Sequence, residues 1–234
     1  MKKLAAHYAI SAALVLGAVT GSSARQTSSA DIKDEIEQSE KAARLFDQIM
    51  AAPDRAIPTK ILDDARCVAA FPSVVKVAFG IGGSGGRGLA SCRTPQGWSA
   101  PAYFTLGGGS IGFQIGAEST DLVMLFMSDD GMNSLIRNKL ELGADASVSA
   151  GPVGRQAGAS TDLKLNAQIL SYSRSKGLFA GVALKGAVIQ AAQNDMRDVY
   201  GAGASAKDVL SKVAPEAVRA FPTTLARHSP RTRS

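Results

Sequence analysis

Half of this chain's 24 glycines fall between Gly80 and Gly116, inside the run FPSVVKVAFGIGGSGGRGLASCRTPQGWSAPAYFTLGGGSIGFQIGAE at 71–118. Val, Ile, Phe and Tyr are interleaved with them. Glycine adopts positive φ at little cost and lets backbones approach closely, so such a run builds strands that bend sharply and are joined by tight turns. The stretch is also one-signed. Arg66 just upstream, Lys76, Arg87 and Arg93 meet no carboxylate before Glu118. A glycine-bent, cationic sheet suits the capture of anions better than the enclosure of a reaction.

The N-terminus reads as an address. Lys2 and Lys3 precede an apolar run from Ala9 to Val19, and TGSSARQTSSA follows. These are the three parts of a secretory signal, and the apolar run is too short to span a bilayer. Ser22 and Ala24 fit the small positions before a cleavage site, giving a leader over 1–24 with Ala30 as a later alternative. Export to a bacterial periplasm is the expectation. About 210 residues remain, enough for one domain with a core.

The formal charge of +6 is less informative than its distribution. Residues 31–64 carry nine acids against five bases, whereas 65–117 carry four bases and no acid. A second acid-free stretch, 163–194, holds Lys164, Arg174, Lys176 and Lys185. Cys67 and Cys92 are the only cysteines. A disulfide, a pair of buried thiols and a redox pair all fit them; an oxidising compartment favours the first, at about 3 kcal/mol in the chain-entropy view.

Hydrophobic periodicity predicts a helix over 31–50, with Ile32, Ile36, Ala43, Phe46, Ile49 and Met50 on one stripe, and a short helix after Pro58. The acidic flank of the first helix favours core packing over membrane insertion. Period-two strands follow near 67–71, 74–81, 87–93, 99–106, 109–118 and 121–127. Ser128 reads as the N-cap of a helix through Leu140. Strands are expected at 144–150, 153–160, 166–174 and 178–190, then a helical stretch over 206–220 interrupted by Pro215, and a disordered basic tail. Short turns between strands predict antiparallel pairing. The fold class is therefore α+β: a curved antiparallel sheet, open or closed into a barrel, with helices at the N-terminus, mid-chain and C-terminus.

Several motif matches are discounted. Gly80-x-Gly82-x-x-Gly85 and Gly107-x-Gly109-x-x-Gly112 both fit the dinucleotide fingerprint, but neither opens a helix and glycine density makes accidental matches common. Gly82-x-Ser84-x-Gly86 and Gly108-x-Ser110-x-Gly112 resemble nucleophile elbows, which need a histidine base. The only histidines are His7, in the leader, and His228, near the C-terminus. Glu118 with Asp121, and Asp145 with Asp162, read as turn and capping residues. The expectation is a protein that is not an enzyme, with no cofactor, no metal and no nucleic-acid partner.

The runs FPSVVKVAFGIGGSGGRG, LGGGSIGFQIGAESTDLVMLFM, LGADASVSAGPVGRQAGASTDL and ILSYSRSKGLFAGVALKGAVI occur in the order of the SYLF family, the Ysc84 actin-binding-like domain, which the chain resembles over 31–201. Residues 202–234 are then a helical segment and basic tail. The pairing of Cys67 in ARCVAAFP with Cys92 in LASCRT resembles the family's bacterial exported branch. The resemblance implies a lipid-binding module, since eukaryotic members bind phosphoinositides and anionic membranes, and it implies actin binding for some members.

Both lines converge on anion capture. Arg174 and Lys176 lie two apart on a strand and share a face, and Arg87 follows a glycine run whose amides suit an anion nest. The expected site is a basic rim of Arg87, Arg93, Arg174, Lys176 and Lys185 on lipid phosphates, each contributing about 1 kcal/mol near an anionic bilayer. Ordinary solvated strand faces are the plainer account of any single residue. The expected partner is an anionic phospholipid surface; the alternative is a structural or interaction protein docking an envelope protein.

Overall fold

The computed structural model describes residues 32–53, 55–137, 139–153, 167–175, 184 and 186–230. The leader, Asp162, Lys164, Lys176, Lys185, residues 154–160 of the strand expected over 153–160 and residues 178–183 of the strand expected over 178–190 thus lie outside the described residues.

Helices α1 (Lys33–Met50) and α2 (Thr59–Asp64) lead into a long ribbon of β1 (Cys67–Thr94) against β3 (Ala102–Phe126), with β2 (Gly97–Trp98) at its turn. Next come α3 (Asp129–Ile136), β4 (Lys139–Glu141), β5 (Val148–Ala150), β6 (Ile169–Ser175) and β7 (Val188–Ala191). Helices α4 (Gln193–Tyr200) and α5 (Ala206–Val209), a 3₁₀ turn (Glu216–Val218) and α6 (Ala220–His228) complete the described chain. The expected α+β class holds: a curled sheet forms a half-barrel with helices before, within and after it.

The separate strands read from the sequence fuse into two. Pairing runs from Cys67↔Phe126 to Ala90↔Ala102, with irregularities only between Phe71 and Val74 and between Phe79 and Ile81. A straight strand of the 28 residues in β1 would reach about 90 Å. Instead the Cα atoms of Cys67 and Cys92 are 3.9 Å apart, joined by a disulfide, and the Arg93 amide donates to the Arg66 carbonyl at 2.8 Å. The strand has doubled back on itself. Two glycines permit the close approach: a Cβ on Gly86 would sit 3.0 Å from Val74, and one on Gly88 would overlap the Phe71 ring.

β6 extends the sheet by pairing with β3 over Thr120–Phe126, and β7 pairs with β3 over Phe104–Gly107 and with β4. One pair departs from the antiparallel expectation: β5 and β6 are parallel, Val148 opposite Ile169. The connection 151–168 is long enough for the crossover that a parallel pair needs.

Ser128 caps α3 as expected, its Oγ accepting from the Gly131 amide at 3.0 Å. The helix stops at Ile136 rather than Leu140, because Arg137 turns extended and Leu140 joins the sheet opposite Ile189.

α1 packs on the core through Ala42, Leu45, Phe46 and Ile49, but its buried face also carries Glu35, Gln38 and Ser39. Two of these polar side chains are satisfied by tertiary partners. Gln38 donates to the Arg87 carbonyl at 2.8 Å, and Ser39 donates to the Val218 carbonyl at 2.7 Å while accepting from the Phe221 amide. The tail expectation is corrected here. Residues 206–228 are helical in three pieces, and Val209, Phe221 and Leu225 lie in the same core as Phe71, Tyr103 and Phe126. α6 lies on α1, the Phe46 and Phe221 rings meeting edge-on at 6.3 Å.

Candidate functional site

The five cations expected to form a rim fare differently. Arg87 stands on β1 opposite Thr105. Its guanidinium donates to Asp195 at 2.7 Å and lies 3.5 Å from Glu35. The hydrogen bond to Asp195 raises the Arg87 pKa further, while burial raises that of Glu35. Arg87, Thr105, Gln193, Asn194 and Asp195 line a cleft of about 300 Å³. Through Thr105 this cleft adjoins one of about 390 Å³ lined by the backbones of Gly107, Gly108, Gly109 and Gly186. One arginine against two carboxylates leaves no surplus positive charge there.

Arg93 is structural. It donates to the carbonyls of Leu62 and Ala65, each at 3.3 Å, and to the Ser229 hydroxyl. Its guanidinium stacks 4.3 Å over the Trp98 ring, with Asp63 3.9 Å away. Burial lowers its pKa, which solvent-facing arginines do not experience. Arg93 thereby ties the end of β1 to α2 and to the residue after α6.

Arg174, on β6, faces Asp121 on β3 in register and donates to it at 3.2 Å. Asp121 also accepts from the Ser73 amide at the first irregularity of the ribbon, where Ser73 takes a φ of 56°. Lys176 and Lys185 lie outside the described residues. Each of the three described arginines meets a carboxylate supplied by a different element: α1 and α4, α2, and β3. The acid-free segments of the sequence are not acid-free neighbourhoods in space.

What the charge pattern did not single out is the limb of β1 beyond that irregularity. Val75 is 46% exposed and Val77 53%, and Lys76 between them is exposed as well. Lys76 stands opposite Glu118, while Val75 and Val77 stand opposite Ser119 and Ala117. The signal was available in the sequence, where a Val-x-Val alternation is interrupted by one lysine.

His228 is engaged with Asp47 at 2.7 Å, beside Arg227. Asp145 accepts from the Glu141 amide within its own turn. Among the described residues no group of acids, cysteines and histidine could hold a metal ion, and no helix is long and apolar enough to cross a membrane.

Residues 107–228 match the family described as Ysc84, Las17-binding protein actin regulator. SH3 domain-containing YSC84-like protein 1 of Homo sapiens is 32% identical over 194 residues, covering 81% of this chain and 56% of that protein. Protein YSC84 of Saccharomyces cerevisiae is 35% identical over 196 residues, 80% of this chain and 42% of that one. LAS seventeen-binding protein 3 of the same yeast is 34% identical over 184 residues, covering 74% and 40%. The chain spans about half the length of these relatives or less.

Proposed function

Because the chain belongs to the Ysc84 family, we propose that it is a non-enzymatic binding module that docks on anionic phospholipid surfaces after export. The observation that carries this reading is the exposed pair Val75 and Val77, aliphatic area on one face of the β1 limb, with Lys76 between them on the other face opposite Glu118. A bilayer interface rewards exposed apolar area, which adds to partitioning. Lys176 and Lys185, next to Arg174 in sequence or in the same acid-free stretch, are the remaining candidate head-group contacts. Export is supported by the leader-like residues 1–24 and by the disulfide between Cys67 and Cys92.

Flotation with vesicles tests the reading. Binding to phosphatidylglycerol or cardiolipin vesicles is expected, absent with phosphatidylcholine and falling as salt rises. Charge reversal of Lys176 and Lys185 together is expected to weaken it. Failure to float with any anionic vesicle would sink the proposal.

The family description favours a second reading, docking of a protein partner such as actin. Co-sedimentation with actin filaments, in material that ignores vesicles, is the result that would prefer it.

A further inference from the structure

Across β1, β3 and β7 one outward face of the sheet carries almost no side chains. In register, Arg87 of β1 stands opposite Thr105 of β3, and Thr105 opposite Gln190 of β7. Two residues along each strand, on the same face, Gly85 stands opposite Gly107 and Gly107 opposite Val188. Gly83 opposite Gly109 comes next. Leu106 and Ile189, between these positions, are buried, so the glycines face outward. Unlike Gly86 and Gly88, they are not required by the packing of the chain. A Cβ on Gly83, Gly85 or Gly107 would come no closer than 3.8 Å to any atom beyond its chain neighbours, and one on Gly109 would meet nothing within 4 Å. Glycine at such a place weakens the strand and marks a surface that another molecule approaches closely.

The space over this floor is the pair of clefts that meet at Thr105, about 390 Å³ over the glycines and about 300 Å³ beside Arg87. The second has a polar wall, to which α4 contributes Gln193, Asn194 and Asp195. Arg87 reaches Asp195 and Glu35 through Nη2 alone, so among the described residues its Nε and Nη1 have no acceptor. Asp195 meets it through Oδ2, which leaves Oδ1 to accept.

We propose that, independently of any membrane contact, this joined cleft binds a neutral oligosaccharide, its rings flat on the glycine floor and its hydroxyls on Arg87, Thr105 and Asp195. Three observations narrow the class. An anion finds no surplus positive charge, because two carboxylates already meet Arg87. An extended peptide finds no edge to lengthen: here β3 is paired on both sides, by β1 and β7, and β7 by β3 and β4. An apolar ligand would leave the donors and acceptors of the Arg87 wall without partners. A sugar hydroxyl both donates and accepts, which this mixed wall asks for. The flat C–H face of a pyranose rests only where no side chain projects, as over Gly85, Gly107 and Gly109. Two clefts in line take more than one ring, hence an oligomer.

The test titrates the purified, isotope-labelled protein, its disulfide intact, with cellotetraose, maltotetraose and the tetramer of N-acetylglucosamine, read by amide NMR. Saturable shifts at Gly85, Gly107 and Gly109 are expected with at least one of these probes. Gly107→Val/Gly109→Val fills the floor and is expected to abolish saturable binding. Its urea midpoint should stay at or above the wild-type value, because valine suits a strand better than glycine and both new side chains project into open space. Thr105→Val keeps the shape, removes the hydroxyl and is expected to weaken binding about tenfold. Sugar recognition is overturned if no probe binds saturably, if the shifts fall elsewhere, or if the double valine variant binds like wild type. Shifts of the same amides by inorganic phosphate and by none of the sugars also overturn it, in favour of an anion.

Discussion

Gly88 lies against the ring of Phe71, a residue of the same strand, so closely that a methyl group there would overlap the ring and stand 2.6 Å from the Ala70 carbonyl oxygen. Because Phe71 is buried and the carbonyl is backbone, neither neighbour can swing away. Gly88→Ala is therefore expected to cost about 3 kcal/mol, at the upper end for overpacking. Urea denaturation followed by circular dichroism reads the change. Gly109→Ala, where a Cβ meets nothing within 4 Å, is the matched control.

The Cys67–Cys92 bond closes the loop formed by the doubled-back strand. Substituting both cysteines by serine should lower stability by about 3 kcal/mol, chiefly through the unfolded chain. Adding reductant to the wild type should reproduce the shift, and adding it to the variant should do nothing. Equal urea midpoints with and without reductant would contradict this.

Glu35 is 5% exposed, and burial holds its carboxyl above the usual carboxylate range, with Asp195 adding to the effect and Arg87 opposing it. The folded state thus keeps the Glu35 proton at a pH where the unfolded chain has released it. Stability falls as pH rises from the ordinary carboxylate range through the folded pKa, and stays lowered above it. Glu35→Gln removes that dependence while Arg87 retains Asp195. The variant should gain on wild type at pH 7 and lose the advantage toward pH 3, as urea midpoints at the two pH values would register.

Ending the chain after Gly201 removes Val209, Leu210, Val218, Phe221 and Leu225, all buried. At about 2 kcal/mol for each buried side chain, the loss rivals the whole stability of an ordinary domain. No cooperative thermal transition is expected for the truncated chain. A sharp transition would show instead that 202–230 is an accessory segment.

Local features were legible in the sequence because they are decided locally. Ser128 announced its cap, Pro58 its short helix, and the glycine run its bend. α4 was readable too, with Asp195 in its first turn and Gly201 just beyond Tyr200, but the eye follows the apolar strand before it. The electrostatic neighbourhood was not legible. Arg87 looks unopposed along the chain and is opposed in space, because Glu35 and Asp195 reach it from helices on either side of it in sequence. Charge runs report one dimension, and an ion pair is settled in three. The buried Gln38 and Ser39 were missed for a related reason: their partners are the carbonyls of Arg87 and Val218, which no periodicity can reveal.

Contact between α1 and α6 sets an order of events. Phe46 finds Phe221, and Asp47 finds Arg227 and His228, only once α6 has been synthesised, 181 positions separating Asp47 from His228. Native closure of α1 therefore waits on α6, and until α6 arrives the ring of Phe46 stands without its edge-on partner.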